Sequence, residues 1–255
     1  MELIYDVGVE NGDDSAYYLH KGFRVVGVEA SPVAVEKLRS RFAAEIVDGR
    51  YVLLAVAIAS ETGQAPFWVC DDHPPWSSFD RDIAARNGCG HHEVQVETRT
   101  FASILQEFGR AAYCKIDIEG NDDLCLAAFS ENTRARYVSV ELIDGDEQLR
   151  LLRDNGYCDF KLISQRSFRQ PSPALLRLKA KLPQLARLPI SKAEALVRHQ
   201  PEPDWRFRGG SSGPFGEATA GPWQGFDEAL DMWRAIADLG NDLSDWHDIH
   251  ARLGG

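Results

Sequence analysis

The stretch IYDVGVENGDDSAYYLHKGFRVVGVEASP, from Ile4 to Pro32, constrains the fold more than any other part of the chain. An apolar run ends in Asp6. Gly8 and Gly12 follow, then a helix-length segment with a stop at Gly22, then a valine-rich run ending in Glu29. Strand, turn, helix and strand at this spacing predict a βαβ unit, whose strands lie parallel because the helix crosses over the sheet. Glycines in the first turn let backbone approach a ligand, and the following helix aims unpaired N–H groups at it. An acid ending the second strand stands where it can accept hydrogen bonds from both hydroxyls of a ribose. Glu29 comes 17 residues after Gly12, near the interval that role requires. The pattern is the mononucleotide-binding half of a Rossmann-like fold.

The same alternation continues. Strands are expected at 2–7, 23–28, 51–59, 112–118, 137–142 and 157–163, with helices at 13–20, 31–44, 101–108, 122–129 and 146–154. The run 64–70 reads as a hairpin partner after the SETG turn, 71–80 as a proline-bearing loop, and 93–100 as a half-exposed strand. Asp13 or Asp14 suits the first helix cap, and Ser31 followed by Pro32 suits the second. An α/β fold follows, with a mainly parallel sheet between two helical layers. After Ser164 the rhythm breaks. The expected organisation is a nucleotide-binding domain at 1–164 and a C-terminal helical and glycine-rich extension at 165–255 packing on it. That extension holds basic helices, a glycine-rich loop with a last-strand candidate at 205–208, and a pair of acidic helices split near Gly240.

The charge of the turn selects the nucleotide. A dinucleotide fingerprint reads GxGxxG and wraps backbone around a pyrophosphate. Here the turn is Asp6-x-Gly8-x-x-x-Gly12, without the middle glycine, and Asn11-Gly12-Asp13-Asp14 puts acids where a diphosphate is repelled. S-adenosylmethionine carries no phosphate. It has a sulfonium and an ammonium, which Asp6 and Glu10 would attract.

At this point the chain resembles an FkbM-type methyltransferase, a branch of the class I S-adenosylmethionine-dependent enzymes. The resemblance lies in YDVGVENGDDSAYYLHKGFRVVGVEASP, VAIASETGQAPFWV, WSSFD, TFASIL, YCKIDIEGNDDLCL and YVSVELID, and covers roughly 3–164. It implies a Rossmann-like class I methyltransferase three-layer sandwich and S-adenosyl-L-methionine as cofactor. Asp6, Gly8, Glu10, Asn11, Gly12, Glu29, Ala30 and Ser31 would bind that cofactor. Ala57 and Ile58 would lie beside the adenine, with Ser78 of WSSFD near it. Asp117 and Glu119 would face the methyl group. Three positions depart from the family pattern: Glu10 and Ala55 each replace a common asparagine, and Ala102 replaces an aspartate. The implied acceptor is a hydroxyl on a sugar, glycan or small secondary metabolite.

Methyl transfer needs a nucleophile aligned on the sulfonium carbon and a group to take its proton. Strand alternation puts Lys115, Asp117 and Glu119 of KIDIEG on one side, at the carboxyl end of a strand, where parallel sheets bind ligands. They are the catalytic candidates. One carboxylate acts as general base; alternatively Asp117, Glu119 and Glu141 hold a divalent cation such as Mg. The plainer alternative pairs Lys115 with an acid and uses Glu119 as a helix cap. His73, His91 and His92 suit a surface, and the five cysteines, with no CxxC, suit a core.

Net charge is −11, yet 165–208 carries ten Lys/Arg against three Asp/Glu. The acidic remainder excludes nucleic acid as a partner. On a helix, Leu175, Leu178 and Leu182 form a stripe apart from Arg177, Lys179 and Lys181, so 173–198 is a candidate contact for a membrane surface or anionic glycan. A lid or homodimer contact is the favoured alternative, because Pro183 and Pro189 keep the helices short. No apolar run reaches membrane-spanning length. The opening MELIYDVG enters a strand directly, so no signal peptide and a cytoplasmic location are expected. Two other functions stay open: an NAD(P)-dependent Rossmann oxidoreductase, and a catalytically degenerate cofactor-binding module.

Overall fold

The computed structural model describes residues 1–118, 120–183, 186–187, 193, 196, 198–208, 210–239 and 246–254. The chain divides into two compact units, Met1–Ala135 and Arg136–Gly255. The first holds strands β1 (Leu3–Val7), β2 (Arg24–Val28), β3 (Tyr51–Leu54), β4 (Ala57–Ile58), β5 (Gly63–Cys70), β6 (His91–Arg99) and β7 (Tyr113–Ile116). Its helices are α1 (Asp13–His20), α2 (Pro32–Arg41), α3 (Ala43–Val47), α4 (Arg81–Ala84), α5 (Phe101–Phe108) and α6 (Asp122–Ala127).

Strands β3, β2, β1 and β7 pair in that order, all parallel. Every residue of β1 and β7 is buried, because a parallel strand covered on both faces has no solvent side. Ile4 pairs with Tyr113, and Tyr5 with Cys114. Tyr113 meets Tyr18 of α1 edge-on, whereas Tyr5 meets Phe101 of α5. Adjacent residues of a strand face opposite ways, so α1 and α5 cover opposite faces and the unit has three layers. The expected α/β class with a mainly parallel sheet is present.

Local departures have plain causes. The run 51–59 splits: β3 stays in the parallel sheet, and β4 leaves it to pair with β6. The segment 63–70 pairs along its whole length with β6, not with the run before the SETG turn. The first helix is capped by Gly12 in a left-handed conformation, so Asp13 and Asp14 fall inside its first turn. Ser31 caps α2 as expected, with Pro32 at its first position.

The second unit holds β8 (Tyr137–Glu141), α7 (Gly145–Asp154), β9 (Tyr157–Ser164), α8 (Pro173–Ala180), α9 (Phe226–Ala237) and β10 (His247–Leu253). The last strand pairs antiparallel with both β8 and β9. This corrects two expectations. Residues 205–208 form no strand, and the supposed second acidic helix ends in β10. The cause is visible in its face pattern: Ile249 and Ala251 alternate with Asp248, His250 and Arg252, a two-residue period. The basic helix also differs. Leu176 and Lys179 of α8 are buried and Leu178 is 49% exposed, so the buried face is not the Leu175–Leu178–Leu182 stripe. Helix α9 packs against α8, α7 and β9. Residues 184–185, 188–192, 194–195 and 197 of the 173–198 segment, and Gly240, lie outside the described residues. No described helix is long and apolar enough to cross a membrane.

Candidate active site in the first unit

The turn after β1 is locked by its backbone. Gly8 has φ +85°, and a Cβ there would lie 1.7 Å from the Asp117 carbonyl oxygen. Its N–H donates to the Val28 carbonyl at 2.9 Å, while the Asp117 N–H donates to the Val7 carbonyl at 2.9 Å. The turn therefore lies flush on the tip of β7, and only glycine fits. Gly12 has φ +84°, with a Cβ position 2.6 Å from the Phe42 ring. Between them Glu10 adopts a left-handed φ of 54°, a conformation few side-chain-bearing residues take.

That conformation aims the Glu10 N–H at Glu29. The Glu29 carboxylate accepts from the Glu10 N–H on Oε2 and from the Ser31 N–H on Oε1, each at 2.8 Å. Backbone N–H groups of Glu10, Ser31 and Ala30 hold the carboxylate in its plane. Burial raises its pKa against the pull of these bonds. Asn11 is exposed; its Nδ2 donates to Glu10 Oε2 at 2.9 Å, and its Oδ1 accepts from the Asp13 N–H at 2.8 Å.

Beneath the turn lies a cluster of charges. Asp6 is fully buried; its Oδ2 accepts from Ser15 Oγ at 2.6 Å. Lys115, also buried, donates from Nζ to the Gly8 carbonyl at 2.8 Å. The same ammonium stands 3.4 Å from Asp117, 3.7 Å from Asp6 and 3.9 Å from Asp14. Burial pushes Asp6 up to about 6, with the Lys115 charge pulling the other way. Burial also raises Glu10. Lys115, and Arg41 paired with Asp13 at 2.8 Å, are outnumbered by carboxylates, which leaves the turn negative; that suits a cationic ligand and opposes a diphosphate.

A second wall gathers from β4, β5 and β6. Ala57, Phe67, Val69 and Val96 form a buried cluster, and Ala30 and Phe79 pack against it. Phe79 of WSSFD was not singled out in the sequence; its neighbour Ser78 is tied up in a two-way backbone bridge to Trp68 and in an Oγ bond from the Asp80 N–H. Asn121 and Asp122 are further candidates that the sequence does not mark, because their segment reads only as a helix start. Asn121 Nδ2 donates to the Ile58 carbonyl at 3.0 Å. Asp122 accepts the N–H groups of Ile118 and Gly120, each at 3.2 Å. Burial, then the nearby Asp117, push Asp122 up to about 6.

Asp117 is half-buried at the end of β7. Glu119 lies outside the described residues. Glu141 ends β8 in the second unit, where its carbonyl accepts from Gln148 Nε2 at 2.7 Å. Among the described residues no three His, Cys, Asp or Glu side chains gather as a metal-binding group, so the Asp117–Glu119–Glu141 cation set finds no support there. The histidines have ordinary partners: His92, on β6 rather than in a loop, pairs with Asp71 at 2.8 Å, and His73 stacks on Trp76.

Comparison with known proteins identifies the family of the chain. The family described as the methyltransferase FkbM domain matches residues 6–157. No curated protein matches the sequence. Among solved structures, the chain is similar to the methyltransferase FkbM from Methylobacillus flagellatus KT, at 16% identity and a TM-score of 0.44, over 63% of this chain and 39% of that one. The chain thus spans about two fifths of that protein's length. It is also similar to an S-adenosylmethionine-dependent methyltransferase from Thiobacillus denitrificans in complex with S-adenosyl-L-homocysteine, at 10% identity and a TM-score of 0.35, over 99% and 85% of the two chains. A third is the Haemonchus contortus phospholethanolamine N-methyltransferase 2, at 10% identity and a TM-score of 0.40, over 100% and 49%. The family match spans more than half of the sequence, from Asp6 to Tyr157, and the chain belongs to the FkbM methyltransferase family.

Proposed function

We propose that the first unit binds S-adenosylmethionine at the β1 turn and that the protein methylates a hydroxyl of a sugar, glycan or small secondary metabolite. The observation that carries the cofactor assignment is the Glu29 carboxylate. Its two oxygens are pre-oriented by Glu10 and Ser31, and a carboxylate has acceptor capacity for two adjacent ribose hydroxyls besides. The negative turn suits the sulfonium and the ammonium. Ala30, Ala57, Ile58 and Phe79 offer an apolar wall for adenine, and Asn121 holds the Ile58 backbone in place. When bound, the cofactor supplies an electrophilic methyl group.

Asp117 is the described carboxylate suited to hold the proton that leaves a hydroxyl, since it stands half-buried at a strand end. Family resemblance supplies the acceptor class. An NAD(P) oxidoreductase is disfavoured by the acids at the turn and the missing middle glycine. The decisive assay incubates the protein with S-adenosylmethionine and a panel of sugars and phenols. It reads S-adenosylhomocysteine together with an acceptor heavier by one methyl group. Asp117→Asn is expected to slow turnover about 100-fold or more while cofactor affinity holds. Cofactor binding with no turnover on any acceptor would instead favour the degenerate module. A parallel arm with EDTA or added Mg tests the divalent-cation version.

A further inference from the structure

We infer that Lys115 is a positioning residue for the cofactor: it sets the β1 turn through the Gly8 carbonyl and does not itself exchange protons with the acceptor. The inference rests on the proposal that this turn binds S-adenosylmethionine. Lys115 belongs to β7, yet its Nζ reaches across to the neighbouring turn and donates to Gly8 at 2.8 Å. Its side chain is 5% exposed and its ammonium stands within 4 Å of Asp6, Asp14 and Asp117. An ammonium has three donors and no acceptor; one goes to the Gly8 carbonyl, and the three acids lie within ion-pair distance of it.

The geometry gives the bond leverage. Gly8 rests against the Asp117 backbone so closely that no Cβ fits; the turn is otherwise tied by the Gly8 and Val9 N–H groups to the Val28 carbonyl, by the Glu10 N–H to Glu29 and by Arg41 to the Asn11 carbonyl. Without the Lys115 donor, the Gly8 carbonyl would stand beside buried carboxylates with no cation between them. Like partial charges would push the turn away from β7, and with it Glu10, whose N–H orients Glu29. Lys115 thus connects the tip of β7 to the ribose-binding acid through two backbone links.

Removing Lys115 alone leaves three acids uncompensated and endangers folding. The combined change Asp14→Asn with Lys115→Met removes one acid and the one cation, so the cluster keeps its net charge while the Gly8 bond is lost. Calorimetric titration with S-adenosylhomocysteine and with S-adenosylmethionine is run on the wild type, Asp14→Asn, Lys115→Arg and the double variant, with thermal melts in parallel. Asp14→Asn and Lys115→Arg, which keep a cationic donor, are expected within about threefold of wild type. The double variant, folded by its melt, is expected to lose about tenfold or more for both ligands, the weight of one charged hydrogen bond. A merely structural lysine would lower the melting temperature and leave the affinity of the folded protein unchanged, and that result overturns the inference. Wild-type protein that binds neither ligand overturns the cofactor proposal itself, and this inference with it.

Discussion

Lys115 in the first unit and Lys161 in the second are both buried, 4% and 2% exposed, yet they are held by opposite means. Lys115 sits among three carboxylates. Lys161 donates to the carbonyl and Oγ1 of Thr219 at 3.0 and 2.9 Å and lies 4.4 Å from the centre of the Trp223 ring. Across the ladder it pairs with His250, whose Nε2 is buried with no hydrogen-bond partner among the described residues. Burial lowers the Lys161 pKa, as expected where neutral oxygens replace carboxylates. The contrast separates two uses of an interior cation. In the second unit it braces the 216–224 segment against β9, with Glu217 accepting from Tyr137, Trp223 and Arg252 nearby. In the first, it tempers an excess of acid that is suited to attract a positive ligand.

The sharpest way to break this contrast is to remove each charge in turn. Lys115→Met is expected to cost about 3–5 kcal/mol, because the stranded acids lose their counter-ion. Lys161→Met is expected to stay within about 1 kcal/mol, since lost hydrogen bonds are offset by relief of a buried charge. Urea unfolding of the two variants checks both; equal losses would erase the distinction.

Acid sharpens it further, because the two regions respond with opposite sign. His250 is held at about 3 against an ordinary 6.5, first by burial and then by Lys161. The unfolded chain takes that proton near 6.5 and the native chain only near 3, so stability is lost as pH falls through this window. Asp6 and Asp122 are pushed up to about 6 from 3.8. They bind protons earlier when folded, so they add stability as pH falls from 6 toward 4, and lose it as pH rises. At about pH 5, His250→Gln is expected to recover about 2 kcal/mol relative to wild type, and Asp122→Asn to forgo about 1 kcal/mol of the acid gain. Denaturation midpoints at pH 7 and pH 5 give both numbers. The smallest expected effect is at Asn121: its change to Ala removes the bond to Ile58 and costs about 1 kcal/mol of stability, with a few-fold loss of S-adenosylmethionine affinity.

The first unit was legible where its information is local. Strand, glycine turn, helix and acid follow one another within thirty residues, and the structure keeps them in that relation. What lay hidden depends on distant partners. Lys115 shares strand parity with Asp117, but only the fold brings it under Gly8. Asn121 reads as a helix opening until Ile58, 63 residues earlier, is placed beside it. Phe79 reads as an ordinary aromatic until the wall of Ala57 and Ala30 is known. In the second unit β10 escaped notice because three of its seven residues, His247, Asp248 and His250, are polar and yet buried. Asp248 and His250 sit inside since β8 and β9 flank them on both sides, a circumstance no local pattern records. The face that α8 buries was hidden likewise: Leu176 and Lys179 are covered while Leu178 is exposed, and α9 packs on this helix.

The most direct test of the central claim is calorimetric titration of S-adenosylmethionine and NAD into wild-type protein and Glu29→Ala. The account predicts one-site binding of S-adenosylmethionine by the wild type, no binding of NAD, and a loss of about 100-fold or more on removing the carboxylate. Undiminished affinity in Glu29→Ala, or preference for NAD, would contradict it.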